Sequence, residues 1–281
     1  MSETTILELS GLTKQRGSFS LQDVSFTLPS GCIMGLVGEN GAGKSTTMGL
    51  ILNNLHRDGG DIAIFGQDNR TLTPAQWEDI GVVPDQVGLP EYMNARQIGR
   101  MMAGIYRRWQ PEVYADFLRK MAVPEDKPFK ALSLGTKKKV GLAAALSHQP
   151  KLLLLDEATS GLDPVVRDDI LTLLADFTRD EDHAVLLSSH IVSDLEKICD
   201  YITFLHQGRL LLSEEKDLLA EEYGLLRGNG EGLDEGAILA RRVTPYGTEC
   251  LVRRDGVPHG TPLGKVSIEE LFVYMVRGGA V

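Results

Sequence analysis

Short apolar runs alternate with amphipathic stretches along most of this chain, and this alternation predicts its secondary structure. Apolar and polar positions alternate in Ile6–Leu9 and, less regularly, in Leu21–Leu28, which predicts strands of an antiparallel layer. Short, mainly apolar runs predict further strands, most of them buried. These runs are Cys32–Val37, Ile62–Phe65, Ile80–Val83, Lys151–Leu155 and Ala184–Leu187.

Helices are predicted between these strands. They span Ser45–Asn53, Pro111–Met121, Lys137–Leu146 and Asp168–Phe177. Strands that alternate with helices indicate an α/β fold with a mostly parallel sheet covered on both faces. In such sheets the chemistry collects beyond the carboxyl ends of the strands. Because Gly38, Asp156 and His190 each follow an apolar strand, we expect them at one edge of the sheet.

One further helix is predicted to begin after Asn94, where Asn94 and Gln97 have the spacing of a capping box. Four apolar side chains then fall on one helical face: Ile98, Met101, Met102 and Ile105. This face is either ordinary core or a surface that receives a helix of a partner protein.

The hydrophobic pattern weakens after about Lys216. Gly228–Gly232 is predicted to be a loop between two units, and Cys250–Val252 a strand. Ser267–Val276 is predicted to be a helix that opens with the capping-box pair Ser267 and Glu270.

Composition and charge narrow the possible classes of protein. The 281 residues include 39 Asp and Glu against 29 Lys and Arg, a formal net charge of −10. This acidic balance argues against a general nucleic-acid binder, so no nucleic-acid partner is expected. No apolar run approaches the roughly 18 residues of a membrane span, and Met1–Ser10 has no apolar signal core. The three widely spaced cysteines are typical of reduced thiols, which favours a cytoplasmic location.

The stretch between the third predicted strand and the following helix fits G-x-x-x-x-G-K-[ST] at every position. It consists of Gly38, Glu39, Asn40, Gly41, Ala42, Gly43, Lys44 and Ser45, and Thr46 follows in the helix. Glycines let backbone N–H groups close on phosphate oxygens, and the helix N-terminus adds a positive dipole end. Lys44 supplies a mobile positive charge, and the Ser45 hydroxyl is suited to Mg²⁺. The stretch therefore predicts a triphosphate site.

A second motif ends the strand Lys151–Leu155 with the adjacent carboxylates Asp156 and Glu157. Asp156 is placed to hold the hydration shell of Mg²⁺, and Glu157 to orient and deprotonate a water that attacks the γ-phosphate.

With these two motifs, the chain resembles the ATPase subunits of ATP-binding cassette (ABC) transporters, over about residues 3–216. Leu132-Ser133-Leu134-Gly135-Thr136 stands where this family has its LSGGQ signature, just before a helix. Ser160-Gly161-Leu162-Asp163 resembles the D-loop, and His190 resembles the switch histidine. The order and spacing of five motifs make this resemblance specific.

The resemblance implies a fold, a division of the chain and a set of partners. The implied fold is a P-loop NTPase core with a mostly parallel sheet, an antiparallel β-subdomain and an inserted helical subdomain. Residues 1–220 would form the nucleotide-binding domain, with the helical subdomain at about 88–148, and residues 221–281 a small C-terminal extension. ATP and Mg²⁺ would bind between the glycine loop and the signature of a second subunit, in a homodimer or a heterodimer. There Ser133, Gly135 and the helix N-terminus would offer a hydroxyl, a backbone N–H and a dipole to the γ-phosphate.

Three departures from the family pattern affect the predicted site. The signature has Leu134 and Thr136 where the family usually has Gly and Gln. At the Q-loop, the usual glutamine is either replaced by Asp85, as a group that contacts the metal, or shifted to Gln86. Arg16 stands where an aromatic residue usually stacks on adenine. Either the Arg16 guanidinium stacks there, or Phe19 reaches the base, or neither side chain contacts it.

The run Lys137-Lys138-Lys139 places three cations near the start of the helix after the signature. Each opposes the helix dipole by roughly 0.3–1 kcal/mol when exposed. Either the run is a solvated helix face, or one lysine is tolerated because a bound nucleotide anion lies nearby.

The resemblance favours an ATPase subunit of a membrane exporter of the ABC-2 type. A separate transmembrane permease would dock near Pro84–Tyr106, and the chain would lie peripherally on the inner face of the membrane. The alternative is a soluble cassette ATPase that acts on ribosomes or chromosomes. Ribosome-acting members usually carry two cassettes, and chromosome-type members carry a long coiled coil between the two motifs. Here only 110 residues (46–155) separate Ser45 from Asp156, without sustained heptads.

Overall fold

The computed structural model describes residues 4–231, 233–245 and 247–277. Its strands are β1 (Thr5–Arg16), β2 (Phe19–Pro29), β3 (Ile33–Val37), β4 (Gly59–Ile64), β5 (Gln67–Asp68), β6 (Ile80–Val83), β7 (Leu152–Asp156), β8 (Ala184–Ser189), β9 (Tyr201–His206), β10 (Arg209–Glu215), β11 (Tyr223–Arg227), β12 (Ile238–Thr244) and β13 (Gly247–Arg253). Its helices are α1 (Lys44–Ile51), α2 (Pro74–Trp77), α3 (Ala95–Ala103), α4 (Pro111–Lys120), α5 (Leu134–Leu146), α6 (Pro164–Phe177), α7 (Val192–Ile198), α8 (Lys216–Glu222) and α9 (Ile268–Arg277).

The large sheet has ten strands in the order β5-β4-β1-β2-β10-β9-β3-β8-β7-β6. Strands β9, β3, β8, β7 and β6 pair in parallel, whereas β1, β2, β4 and β5 form an antiparallel layer. The α/β class, the mostly parallel sheet and the antiparallel layer are therefore confirmed.

The hairpin of β9 and β10 was not predicted, although it joins the two halves of the sheet. Strand β10 pairs antiparallel with β9 and meets β2 through the single pair Arg209 and Gln22. The hairpin turns at Gln207 and Gly208, both with positive φ, at 46° and 78°. Two apolar runs around a glycine-containing two-residue turn are a hairpin signal that the sequence carries.

Alternate residues of the parallel strands enter two different cores, because successive side chains point to opposite faces of a sheet. Leu153 and Leu155 pack with α5, α6, α7 and α9, whereas Leu152 and Leu154 pack with α1 and the antiparallel layer. These four leucines are almost completely buried. Each contributes about 1.5–3 kcal/mol by its burial, so the sheet is covered on both faces as predicted.

A third core lies among α3, α4 and α5, within the segment predicted to be the helical subdomain. The capping box of Asn94 and Gln97 is present at the start of α3. Ile98 is buried there, but Ile105 lies beyond the end of α3 and is exposed, so the predicted apolar face is shorter than expected. Helix α5 joins the two cores, since Val140 packs in the helical core and Leu142 in the main one.

The C-terminal residues form a second sheet, β11-β13-β12, which is covered by α9. The predicted capping box of Ser267 and Glu270 opens α9. Phe272 of α9 packs edge-on against Phe204 of β9, so the buried core continues across residue 220. The glycine-rich segment that begins at Gly228 is a loop as predicted, but it lies between β11 and β12 of one sheet, so its prediction as a loop between two units is wrong. Gly232 lies outside the described residues.

Candidate active site

The carboxyl ends of the central parallel strands reach the same level. In the register of the sheet, Val37 at the end of β3 lies opposite Ser189, and Asp156 at the end of β7 lies opposite Ser188. The loops that follow these strands therefore meet at one edge. This confirms the expectation that Gly38, Asp156 and His190 are brought together.

The loop from Gly38 to Ser45 requires glycine at two positions for different reasons. A Cβ on Gly38 would lie 2.5 Å from the carbonyl oxygen of Leu205, which is too close for any side chain. Gly43 has a φ of +117°, and a Cβ there would lie 2.9 Å from the Phe19 ring. Gly43 is also the N-cap residue of α1, and because it has no side chain it does not cap the helix with a hydrogen bond. The first N–H groups of α1 thus face the loop without a capping side chain, as anion binding requires.

Lys44 is buried at the start of α1 and points back across the loop. Its Nζ donates hydrogen bonds to the carbonyl oxygens of Gly38, at 2.6 Å, and Glu39, at 3.3 Å. It also lies 3.2 Å from Oε1 of Glu157. These contacts hold the ammonium group over the loop, where the outer phosphates of a nucleotide are predicted to bind.

Glu157 lies between Lys44 and His190 and contacts both. Its Oε2 lies 2.7 Å from Nδ1 of His190, whose side chain is 44% exposed, while the Glu157 side chain is only 13% exposed. Oε1 is buried and, despite its proximity to Lys44, has no hydrogen-bond partner among the described residues. Oε2 is therefore in contact with His190, and Oε1 lies beside the Lys44 ammonium group.

The backbone of Glu157 adopts a left-handed conformation, with φ at +51°. Its N–H donates to the carbonyl oxygen and to Oγ of Ser188, both at 3.1 Å. Such a conformation costs a non-glycine residue about 1–3 kcal/mol and persists only where its surroundings enforce it. Ser188 is one of those constraints, and no local motif of the sequence indicates this role.

Asp156 accepts a hydrogen bond from Oγ of Ser188 at 2.5 Å. Asp156 and Ser45 line the same small cavity beside α1. A carboxylate and a hydroxyl are oxygen donors of the kind that Mg²⁺ prefers. The residues predicted to bind the metal therefore fit Mg²⁺ by chemistry and by position.

A cavity of about 370 Å³ opens over the loop and has the size of a small-molecule site. Its lining includes Arg16, Phe19, Glu39, Asn40, Gly41, Gly43, Lys44, Ser45, Thr46, Asp85 and Glu157. Gln86 is not among these residues, so Asp85 is the Q-loop side chain that faces the cavity. Arg16 and Phe19 both line the cavity. Contact of either side chain with the adenine base stays a prediction. Ala42 is buried beneath the loop, where its carbonyl oxygen accepts from the N–H of Gly208.

The signature segment lies on another part of the surface and contributes nothing to this cavity. Ser133 caps α5, since its Oγ accepts from the N–H of Thr136 at 3.2 Å. Leu134 is 52% exposed, and a Cβ on Gly135 would meet Leu162 of the D-loop at 3.3 Å. Asp163 caps α6 by accepting from the N–H of Val166. Signature and D-loop thus form one packed surface in the same chain.

The three lysines after the signature differ from one another. Lys137 is partly exposed over the Phe129 ring, but Lys138 and Lys139 are buried, so a solvated face is wrong for these two. Lys139 donates to the carbonyl oxygen of Met121 at 3.0 Å. Lys138 reaches Glu157 and Asp85 of its own chain. Burial lowers the pKa of Lys138, against an opposing effect of the nearby carboxylates of Asp85, Glu157 and Asp156.

The fold and the site together define a nucleotide-binding P-loop protein of the α/β class. Comparison with known proteins makes this more specific. The family profile described as ABC transporter matches residues 21–160. An uncharacterised ABC transporter ATP-binding protein of Bacillus subtilis (strain 168) is 36% identical over 212 residues, which cover 74% of this chain and 69% of the relative.

Two further similarities support the same family. A bacitracin transport ATP-binding protein of Enterococcus faecalis is 30% identical over 213 residues, covering 73% of this chain and 68% of the relative. The solved structure of an ATP-binding subunit of an ABC transporter superimposes with a TM-score of 0.71 at 26% identity, covering 77% of this chain and 92% of that one.

The chain therefore belongs to the ABC transporter family, as an ATPase subunit. These similarities do not favour the alternative of a cassette that acts on ribosomes or chromosomes. Within the described residues, no helix is both long and apolar enough to cross a membrane.

Proposed function

We propose that this chain hydrolyses ATP to power a membrane exporter, through ATP-driven closure of two nucleotide-binding domains. The observation that carries this proposal is the chain of contacts from Lys44 through Glu157 to His190 at the edge of the nucleotide cavity. It places a cation for phosphate, a carboxylate base and a histidine in one connected arrangement.

In this proposal Glu157 is the general base. Its Oε1, which pairs with Lys44 in this structure, accepts the proton of a water that attacks the γ-phosphate once Lys44 binds the phosphates instead. The contact of Oε2 with His190 holds the carboxylate in place. Because Glu157 lines the nucleotide cavity, it would take this proton from the water next to the phosphates. Lys44 and the N–H groups of the glycine loop bind the phosphate oxygens.

Mg²⁺ would be held by Ser45 and Asp156, with Asp85, which lines the nucleotide cavity together with Ser45, as a further contact. When bound, it neutralises charge on the phosphate oxygens. Ser188 supports this site, because its hydroxyl orients Asp156 and binds the N–H of Glu157.

Dimerisation would complete the site. The cavity of this chain is not lined by Ser133, Leu134, Gly135 or Thr136, and these residues are exposed or partly exposed. The proposed second subunit, identical or related, would lend these residues to the γ-phosphate, with Asp163 beside them. ATP between the two subunits would then stabilise closure, and hydrolysis would release it.

The permease would dock in an apolar groove between the Q-loop and the helical core. The groove has a volume of about 130 Å³ and is lined by Val82, Pro84, Val87, Gly88, Leu89, Met102, Tyr106, Gly141, Ala144 and Ala145. Six of these ten residues fall within the predicted docking region Pro84–Tyr106, and the other four lie outside it. Similarity to a bacitracin transport ATP-binding protein supports a role in transport. Export as the direction of transport and a position on the inner face of the membrane are parts of the proposal.

Membrane association provides a test of the transporter role. We expect the tagged chain to sediment with membranes of its native host and to copurify with a multi-span protein in detergent. Met102→Glu, which places a charge in the groove, should release most of the chain into the soluble fraction. Leu218→Glu, at an exposed leucine of α8 outside the groove, should not. Copurification with ribosomes instead of a multi-span protein would contradict the proposal.

Asp85 is expected to act in hydrolysis, whereas Gln86 is not. Asp85→Asn should lower the rate of ATP hydrolysis about tenfold, as expected for the loss of one charged contact worth roughly 1.5 kcal/mol. It should also raise the Mg²⁺ concentration needed for half-maximal rate. Gln86→Ala should leave both quantities within about twofold, since this side chain is exposed and does not line the cavity. The reverse result would assign the Q-loop role to Gln86.

A further inference from the structure

Lys138 is a fully buried cation that the proposed mechanism does not use. Its side chain is 2% exposed, although it belongs to a run of three lysines. Its Nζ donates to the carbonyl oxygens of Glu157, at 2.5 Å, and Ser160, at 2.9 Å. It also lies 3.9 Å from Oδ1 of Asp85. A buried ammonium group is unfavourable unless it is paired and hydrogen-bonded, and these three contacts satisfy that condition.

The contact with Glu157 occurs where the backbone is strained. Glu157 has its left-handed φ of +51°, and Ser188 binds the N–H of this residue. Lys138 binds its carbonyl oxygen. The backbone N–H and carbonyl groups of Glu157 are thus both held by residues outside its own loop, the N–H by Ser188 and the carbonyl by Lys138. Their combined effect is to set the direction in which the carboxylate leaves the backbone.

Lys138 also links three separate parts of the chain. It stands in the second turn of α5, the helix that Ser133 caps. Its contacts lie in the loop after β7 and at Asp85 in the loop after β6. The position of α5 and the position of Glu157 are therefore coupled through one side chain.

We infer that Lys138 is a positioning residue for hydrolysis, which holds Glu157 in its reactive orientation and connects it to α5 and Asp85. The inference rests on the proposed role of Glu157 as general base. Lys138 does not touch the nucleotide cavity in this chain and acts only through its neighbours.

The test compares Lys138→Met with Lys139→Met in the full-length chain. Methionine retains most of the lysine volume but removes the charge and the donors. Lys139 is a matched control: it is the next residue of the same helix, is also buried, and donates to a backbone carbonyl remote from the site. Steady-state ATP hydrolysis, the Kd of MgATP by calorimetry and the thermal midpoint are measured for both variants.

Lys138→Met is expected to lower kcat about 10- to 100-fold, as a small displacement of a catalytic group does. The Kd of MgATP should stay within about threefold, since the phosphate-binding loop is unchanged. Lys139→Met should lower the thermal midpoint but retain kcat. Lys138→Arg, which keeps the cation and the donors, should recover much of the lost rate. If Lys138→Met does not fold, the same measurements are made on Lys138→Gln.

Combination with Glu157→Gln separates this inference from the proposed function. If Lys138 acts through Glu157, Lys138→Met should produce little further loss of single-turnover rate in the Glu157→Gln background. An equal loss in both backgrounds would overturn the inference, as would an unchanged kcat in Lys138→Met when Glu157→Gln is slow. Normal hydrolysis by Glu157→Gln would instead refute the general-base role itself.

Discussion

Glu157→Gln is expected to slow ATP hydrolysis by about 10²- to 10⁴-fold, the usual contribution of a general base. The amide keeps the size of the side chain and an oxygen for the contact with His190, but it does not accept a proton from water. ATP binding should be retained, because the glycine loop and Lys44 are unchanged. The closed, ATP-bound dimer should therefore accumulate.

Two measurements check this expectation. Phosphate release in the presence of Mg²⁺ reports the rate, and size-exclusion chromatography with ATP reports the dimer. Glu249→Gln is the control, since Glu249 is a partly buried carboxylate of the C-terminal sheet that bonds to Tyr274. It should change neither quantity. A normal rate in Glu157→Gln would remove Glu157 from its proposed role.

Lys44→Ala is expected to weaken ATP binding itself, by about 10- to 100-fold. A hydrogen bond to a charged group contributes about 1.5–3 kcal/mol, which corresponds to roughly this change in Kd. The substitution also leaves the carbonyl oxygen of Gly38 without its ammonium donor, which loosens the loop. Hydrolysis and ATP-dependent dimerisation should both be lost at ATP concentrations that saturate the unaltered protein.

Calorimetric titration with MgATP checks this prediction. Lys216→Ala serves as the control, because Lys216 likewise donates from its Nζ to a backbone carbonyl, that of Glu196, outside the nucleotide site. The pair Lys44→Ala and Glu157→Gln separates binding from chemistry. Tight binding by Lys44→Ala would place the main phosphate contacts in the loop backbone alone.

The sequence predicted those parts of the site that consist of contiguous residues. The glycine loop, the Asp156–Glu157 pair and the strand-end His190 each consist of a local pattern with a physical requirement. Their meeting at one edge followed from the rule that ligands bind beyond the carboxyl ends of parallel strands. The structure confirms this with the contacts of Lys44 and His190 to Glu157.

The missed parts depend on contacts between distant residues. Ser188 carries no local signal in the sequence. The two bonds of its hydroxyl to Asp156 and Glu157 arise from the pairing of β7 with β8. One of the two predictions for Lys138 and Lys139 was a solvated helix face, because a run of lysines on a helix is usually exposed. Burial of a lysine depends on what packs over the helix, which a single sequence does not specify.

By itself, the sequence determined the α/β class and predicted the residues from Gly38 to Ser45 as the phosphate-binding loop. It did so because strand periodicity and phosphate chemistry both require particular residue types at fixed spacing, whereas the family followed from the resemblance of five motifs. Only the tertiary structure decided that Asp85 rather than Gln86 faces the cavity and that Lys138 holds the backbone of Glu157. It also decided that the C-terminal helix shares the main core. These outcomes depend on how helices and loops pack against the sheet, and that packing is decided by side chains far apart in the chain.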